Sequence, residues 1–197
     1  MIGIIAALVL IFGGSTLAFA EPLHDAARAG DLEKAHALIG EGAPIDAQSD
    51  RGETPLILAV LAGQKEVVEL LIEKGADIDG RNAGGFTPLH AATYAGERAI
   101  AELLIEHGAD IDDAQNKAGV TPLFPAIEED HAAVAELLIA RGADLRPQER
   151  HGYTALTRAL FKGHKDVVTL LRAQGAECQG PDVLGDALYQ ECLDAAN

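Results

Sequence analysis

The chain has 197 residues, with 15 Lys+Arg against 31 Asp+Glu, and so a formal net charge of −16. The acid excess argues against nucleic acid and anionic lipid as partners, since both need a basic face. An apolar share of 48 % is too high for a disordered chain, and two cysteines build neither a disulfide framework nor a four-thiolate zinc site. Aromatic residues make up only 4 %, with no tryptophan, so the core must be built without large rings.

Residues 1–20, MIGIIAALVLIFGGSTLAFA, carry no charged side chain. The apolar run from Ile2 to Phe12 is broken by Gly13, Gly14, Ser15 and Thr16. Ala18-Phe19-Ala20 then supplies the small residues of a cleavage site. The pattern predicts a signal peptide cleaved after Ala20, and with it a periplasmic or secreted protein. No Lys or Arg precedes the apolar run, and the stretch is just long enough to span a bilayer. An inner-membrane anchor through residues 2–20 is therefore the alternative. Nothing later in the sequence is a transmembrane candidate.

From residue 21 onward the sequence repeats. Gly42, Gly75, Gly108, Gly142 and Gly175, each followed by Ala, are spaced 33, 33, 34 and 33 residues apart. Thr54, Thr87, Thr121 and Thr154 repeat at 33, 34 and 33. Thr-Pro-Leu recurs at 54–56, 87–89 and 121–123, with Pro22-Leu23-His24 and Thr154-Ala155-Leu156 as weaker copies. Each unit carries the same physical instructions. Thr before Pro predicts a hydroxyl N-cap with proline at the first helical position, where its missing N–H costs nothing. A short helix follows, such as Pro55 to Ala62, and Gly63, Gly96 and Gly163 permit a tight reversal. A second helix has apolar residues at i, i+3 and i+4, as in Val67, Leu70 and Leu71, and ends at the Gly-Ala pair. Asp-, Asn- and Gly-rich segments such as Asp77 to Gly85 predict a hairpin turn between units.

The segment TPLHAATYAGERAIAELLIEHGADID, residues 87–112, resembles the ankyrin repeat family, and the likeness extends from residue 21 to about 180. It implies an all-α repeat solenoid of helix-turn-helix units joined by β-hairpin loops. Five repeats are expected at about 21–50, 51–83, 84–116, 117–150 and 151–180, with 181–197 as a truncated C-terminal cap. One unit cannot bury its apolar face alone, so stacked neighbours complete a thin core of Leu, Ile, Val and Ala. Lys34 and Ala37 in the first unit, where the second has Val67 and Leu70, suit a polar end face.

The resemblance also implies a partner-binding groove. In the family, the residue before the capping Thr and a residue late in the first helix face the concave side. The first series reads Glu53, Phe86, Val120 and Tyr153; the second reads Arg28, Leu61, Tyr94, Glu128 and Phe161. Four of the six aromatic residues beyond residue 20 fall in these two series. Clustered rings mark interaction hot spots, although each ring packing on its own hairpin is the competing reading.

The remaining chemistry-bearing residues fit structural roles. His24 and His90 occupy the motif histidine position, for which the family implies a hydrogen bond to the adjoining hairpin backbone. His131 and His164, at the start of second helices, are expected to face solvent, and His36 and His151 have no assigned partner. Asp77-Ile78-Asp79 and Asp110-Ile111-Asp112-Asp113 recur at the repeat spacing outside any calcium-loop pattern, and are read as turn formers. No nucleophile elbow, phosphate loop or zinc-hydrolase motif is present. Cys178 takes the hairpin slot filled by Ile45, Ile78, Ile111 and Leu145, and Cys192 falls at a small-residue slot of the cap. Buried free thiols and a disulfide are both open readings. The fourth unit departs most: Phe124 replaces the motif histidine, Pro125 follows it, and Asp130 replaces the reversal glycine.

These readings point to a non-enzymatic, monomeric protein-interaction module of the cell envelope, with no cofactor and no metal. It would hold in its groove a protein partner that carries apolar and basic surface. An inhibitor or immunity-type protein that blocks an exported enzyme is the alternative.

Overall fold

The computed structural model describes the backbone of residues 17–195 and the side chains of residues 22–195. Most of the expected signal segment, 1–20, lies outside those residues. The first described helix, α1 (Leu17–Ala29), pairs with α2 (Leu32–Gly40). Four further helix pairs follow: α3 (Pro55–Leu61) with α4 (Lys65–Glu73), α5 (Pro88–Ala95) with α6 (Arg98–Glu106), α7 (Leu123–Glu128) with α8 (Ala132–Ala140), and α9 (Ala155–Lys162) with α10 (Lys165–Ala173). A last helix, α11 (Pro181–Asp194), packs on α9. The odd-numbered helices α1, α3, α5, α7 and α9 stack in sequence, and so do the even-numbered α2, α4, α6, α8 and α10. This two-layered stack is an all-α repeat solenoid. No described helix is long and apolar enough to cross a membrane.

Local chemistry sets the helix ends. Thr54, Thr87 and Thr154 accept hydrogen bonds at Oγ1 from the amides of Ile57, His90 and Thr157, capping α3, α5 and α9. Thr121 does not repeat this. Pro125 has no N–H to give the Thr121 carbonyl, so the amide of Phe124 bonds to it at 3.0 Å. The first turn is tightened, and α7 starts at Leu123 and lasts 6 residues. Each second helix ends on a left-handed glycine, with φ between +84° and +92° at Gly42, Gly75, Gly108, Gly142 and Gly175. The following Ala amide reaches back to the last turn, as from Ala76 to Leu71 O at 2.9 Å.

The core is one thin, continuous layer between the two helix rows. Its largest fully buried side chains include Leu56, Leu71, Leu89, Leu104, Leu138, Leu156 and the single ring of Phe124. The other five described rings lie outside the fully buried set.

The hairpins are shorter than the expected β-loops. Among the described residues there is no β-strand, only one isolated antiparallel bridge between Gln148 and Thr154. Three hairpins each have one bond across their arms (Ser49 to Glu53, Asn82 to Phe86 and Glu149 to Tyr153) and one within the turn (Gly52 to Ser49, Gly85 to Asn82 and Gly152 to Glu149). That is too little pairing for a ladder. Neighbouring hairpins are joined by single backbone bonds, from Lys117 N to Gly84 O at 3.0 Å and from Arg150 N to Ala118 O at 3.1 Å, and by side chains. Asp46 Oδ1 accepts the amide of Asp77 at 2.9 Å, Asp79 Oδ1 that of Asp110 at 3.2 Å, and Asp112 Oδ1 that of Asp144 at 2.9 Å. Meanwhile Asp77, Asp110 and Asp144 each accept the amide two residues on, closing their own turns. The aspartates are turn formers, as expected, but every second one also ties its unit to the next. Among the described residues, no group of three or more His, Cys, Asp or Glu could hold a metal ion.

Candidate functional site

The stack positions a groove between the odd-numbered helices and the hairpins. A cavity of about 580 Å³ opens in it, within the range of roughly 300–1,000 Å³ usual for ligand pockets. Its apolar wall comes from Ile57 and Leu61 on α3, Phe86 and Val120 on two hairpins, Tyr94 on α5, and Phe124 and Pro125 on α7. Its polar rim carries Glu128, Glu129, Glu149, Arg150, His151 and Arg158. Two wall residues are notably open for their type: Tyr94 is 57 % exposed and Leu61 39 %.

Of the nine residues assigned to the groove, Leu61, Phe86, Tyr94, Val120 and Glu128 line this cavity. Tyr153 and Phe161 do not; their rings stack edge to face with centroids 5.2 Å apart, which holds them against each other. Phe161 remains 42 % exposed. Arg28 and Glu53 also lie outside the cavity. Arg28 pairs with Asp25 at 3.4 Å, and Glu53 belongs to its own hairpin, where its carboxylate accepts from the Ser49 hydroxyl at 3.5 Å.

Glu128 is a neutralised acid. Lys162 Nζ lies 2.9 Å from its Oε2, and the Arg158 guanidinium grips its Oε1. Burial pushes this carboxyl up, but hydrogen bonds from Lys162 and Arg158 outweigh that and hold it below the ordinary glutamate range. Glu149 is buried at the opposite rim. Burial pushes it up too, and the His151 amide and imidazole with the Tyr153 amide more than offset that. His151 Nδ1 lies 2.8 Å from Glu149 Oε2, a partner the sequence reading did not supply.

Two histidines tie first helices to hairpin backbone. His24 Nε2 lies 2.8 Å from Ala47 O and 3.0 Å from Glu53 O, and His90 Nε2 lies 3.0 Å from Val120 O. The His90 Nδ1 accepts the Thr87 amide, completing a capping box. Burial pushes His90 below the ordinary imidazole value despite its bond to Val120, so it is a neutral structural group. Phe124, in the corresponding slot of the fourth unit, offers no such donor and adds a ring to the cavity wall.

His131 and His164 do not face solvent as expected. Each folds back on the preceding unit. His131 Nε2 donates to Tyr94 O at 3.1 Å, and its ring sits where a Cβ on Gly96 would lie 2.8 Å away. His164 Nδ1 approaches Asp130 Oδ1 at 3.3 Å. Asp130 is the single non-glycine residue with positive φ among the described residues, at 59°. Its carboxylate thus gains a partner in the same place where glycine elsewhere makes room for one.

Across the hairpins, Arg81 Nη1 and Nη2 meet Asp113 Oδ1 and Oδ2 at 2.8 and 2.5 Å, while Nη1 also donates to Gly85 O at 3.2 Å. Hydrogen bonding from Arg81 holds the Asp113 carboxyl below its ordinary range against the opposing effect of burial. This pair fixes the hairpins that carry Phe86 and Val120. Cys178 and Cys192 are joined as a disulfide, with Cα atoms 6.1 Å apart.

The geometry offers an apolar, solvent-open concavity with paired charges at its rim, suited to holding a protein segment. A comparison with curated protein sequences returned no significant match. A family model described as ankyrin repeats (3 copies) matches residues 23–115 and 112–182. Such repeats mediate protein–protein interaction as non-enzymatic modules, and the chain belongs to the ankyrin repeat family.

Proposed function

We propose that this chain is a protein-binding module of the cell envelope that seats a segment of one partner protein in the cavity between α3, α5 and α7. The observation that carries this reading is the apolar cavity itself, with Tyr94 and Leu61 held open to solvent at its mouth. Exposed rings on a rigid frame anchor partners at little entropic cost. The partner carries an aliphatic or aromatic anchor with a basic residue beside it. Glu129 supports the basic flank: it is an exposed rim carboxylate with no ion-pair partner among the described residues, whereas Glu128 is already balanced by Arg158 and Lys162. The net charge of −16 speeds capture of such a partner without selecting it.

Export belongs to the same proposal. The signal-like residues 1–20 support it, and so does a disulfide, since such bonds persist in oxidising compartments.

The test is capture from an envelope extract with three forms of the chain. The wild type and Glu69→Ala, altered on the second-row helix α4, retain the same partner; Leu61→Ala/Tyr94→Ala loses it while keeping its melting behaviour. Equal loss with Glu69→Ala would remove the groove assignment. If a captured enzyme loses turnover on binding, the chain is an inhibitor or immunity-type protein instead.

A further inference from the structure

The C-terminal end of the stack is held differently from the rest. The aspartate ties between hairpins stop at Arg146, which occupies the slot of Asp46, Asp79 and Asp112 and pairs with Asp144 instead. The hairpin that follows α10 therefore receives no carboxylate from its neighbour. Gln179 holds one side of it, accepting from the Thr154 amide at 3.1 Å and donating to Gly152 O at 2.8 Å. Cys178 holds the other through its bond to Cys192.

The cap has a thin noncovalent footing. Of the 14 residues of α11, only Leu184 and Cys192 are buried, with Leu188 and Tyr189 half-buried against the core, whereas α9, with 8 residues, buries Ala155, Leu156, Thr157, Ala159 and Leu160. Gly185, at φ 73° and ψ 156°, breaks the helix into two short pieces, and Gly180 supplies no side-chain cap. One of the two buried anchors is thus itself a disulfide sulfur. Among the described residues the remaining polar tie is Arg172 Nε to Cys192 O at 3.1 Å.

We propose that the Cys178–Cys192 bond is a redox clasp: a dithiol reductant opens it, and α11 leaves the end of the solenoid while the first four helix pairs stay folded. Cys178 is half-buried and Cys192 fully buried, so the reductant thiolate attacks the Cys178 sulfur and Cys192 leaves as a thiolate that takes up a proton. The second thiol of the reductant then displaces Cys178 from the mixed disulfide. The balance is one protein disulfide and one dithiol converted to two protein thiols and one oxidised dithiol. The bond spans a sequence separation of 14. Closing a loop of that size shifts the equilibrium between docked and released cap by about a hundredfold. Units that touch only their neighbours can lose the last member without unravelling the rest. Uncapping bares the apolar end of the α9–α10 pair.

Hydrogen exchange of the intact chain, read by mass spectrometry with and without dithiothreitol, tests this. The expected result is at least a tenfold faster exchange across 181–194 on reduction, with 55–140 unchanged. Cys178→Ala, altered at the less buried position, shows the same fast exchange without reductant. Three results would each overturn the proposal. One is equal protection of α11 once alkylation has shown both thiols free. Another is loss of protection along the whole chain together. The third is the finding of two alkylatable thiols in the air-oxidised protein.

Discussion

Removing the Arg81 guanidinium separates the energetics of this fold from its pattern. Asp113 lies on the hairpin before α7, its side chain 2 % exposed, and Arg81 covers both its oxygens while remaining 32 % exposed itself. Deleting one partner of a buried pair costs about 3–5 kcal/mol, because the other charge is left unpaired. Arg81 is partly open, so water reaches Asp113 through the vacated space and the expected cost of Arg81→Ala falls to about 2–3 kcal/mol. With a urea slope of about 2 kcal/mol/M, that lowers the midpoint by roughly 1 M. Asp113→Ala is milder, about 1–2 kcal/mol, since the guanidinium left behind is solvated. The pH dependence supplies the stronger check. In the wild type the folded-state value of Asp113 is depressed, so its contribution is present above the unfolded value near about 4 and fades as the pH falls below it. In Arg81→Ala the largest influence lowering the Asp113 value is gone while burial remains, opposed by the Gln115 amide at 3.2 Å, so the folded value lies above the wild-type one and acid costs the variant less. The difference between the two proteins therefore shrinks on going from pH 7 to below about pH 4. Urea melts at both pH values measure it, with the background of other carboxylates cancelling in the difference. A cost under about 0.5 kcal/mol at neutral pH, or one that stays the same in acid, would refute a buried, partnered Asp113.

Four other perturbations probe the ties between units and the rim of the groove. Asp79→Ala removes the acceptor of the Asp110 amide; the expected result is a loss of about 1 kcal/mol and faster hydrogen exchange at that amide. Gly96→Ala meets both a φ of 74° and the His131 ring, so thermal melting should report a loss of more than the roughly 1–2 kcal/mol of left-handed strain alone. Asp130→Gly should lie within about 1 kcal/mol of wild type, because relief of strain offsets the lost contact with His164. In Glu128→Gln the restraint on Arg158 and Lys162 weakens, and binding of a basic partner segment drops while melting changes little, as titration calorimetry against wild type would show.

Most of the architecture was legible in the chain because each instruction is local. The Thr-Pro caps, the reversal glycines and the Gly-Ala stops act within a turn of where they stand, and their spacing of 33 or 34 residues dictates helix pairs without knowledge of any distant contact. The groove was legible on the same basis, since Leu61, Phe86, Tyr94 and Val120 hold fixed places in a repeating unit. Even the fourth unit obeyed local rules, with Pro125 removing one amide and shortening α7.

What only the tertiary structure decided are contacts made by long side chains across one repeat. Arg81 reaches Asp113, Arg158 and Lys162 neutralise Glu128, and His164 meets Asp130. The sequence placed Glu128 on the groove as an acid, but its charge depends on neighbours 30 and 34 positions away, whose reach no periodicity encodes. The rings of Tyr153 and Phe161 turned to each other instead of the cavity for the same reason. The backbone repeat determines which positions face the groove; rotamers, charge and burial between stacked units determine which of them remain free to bind.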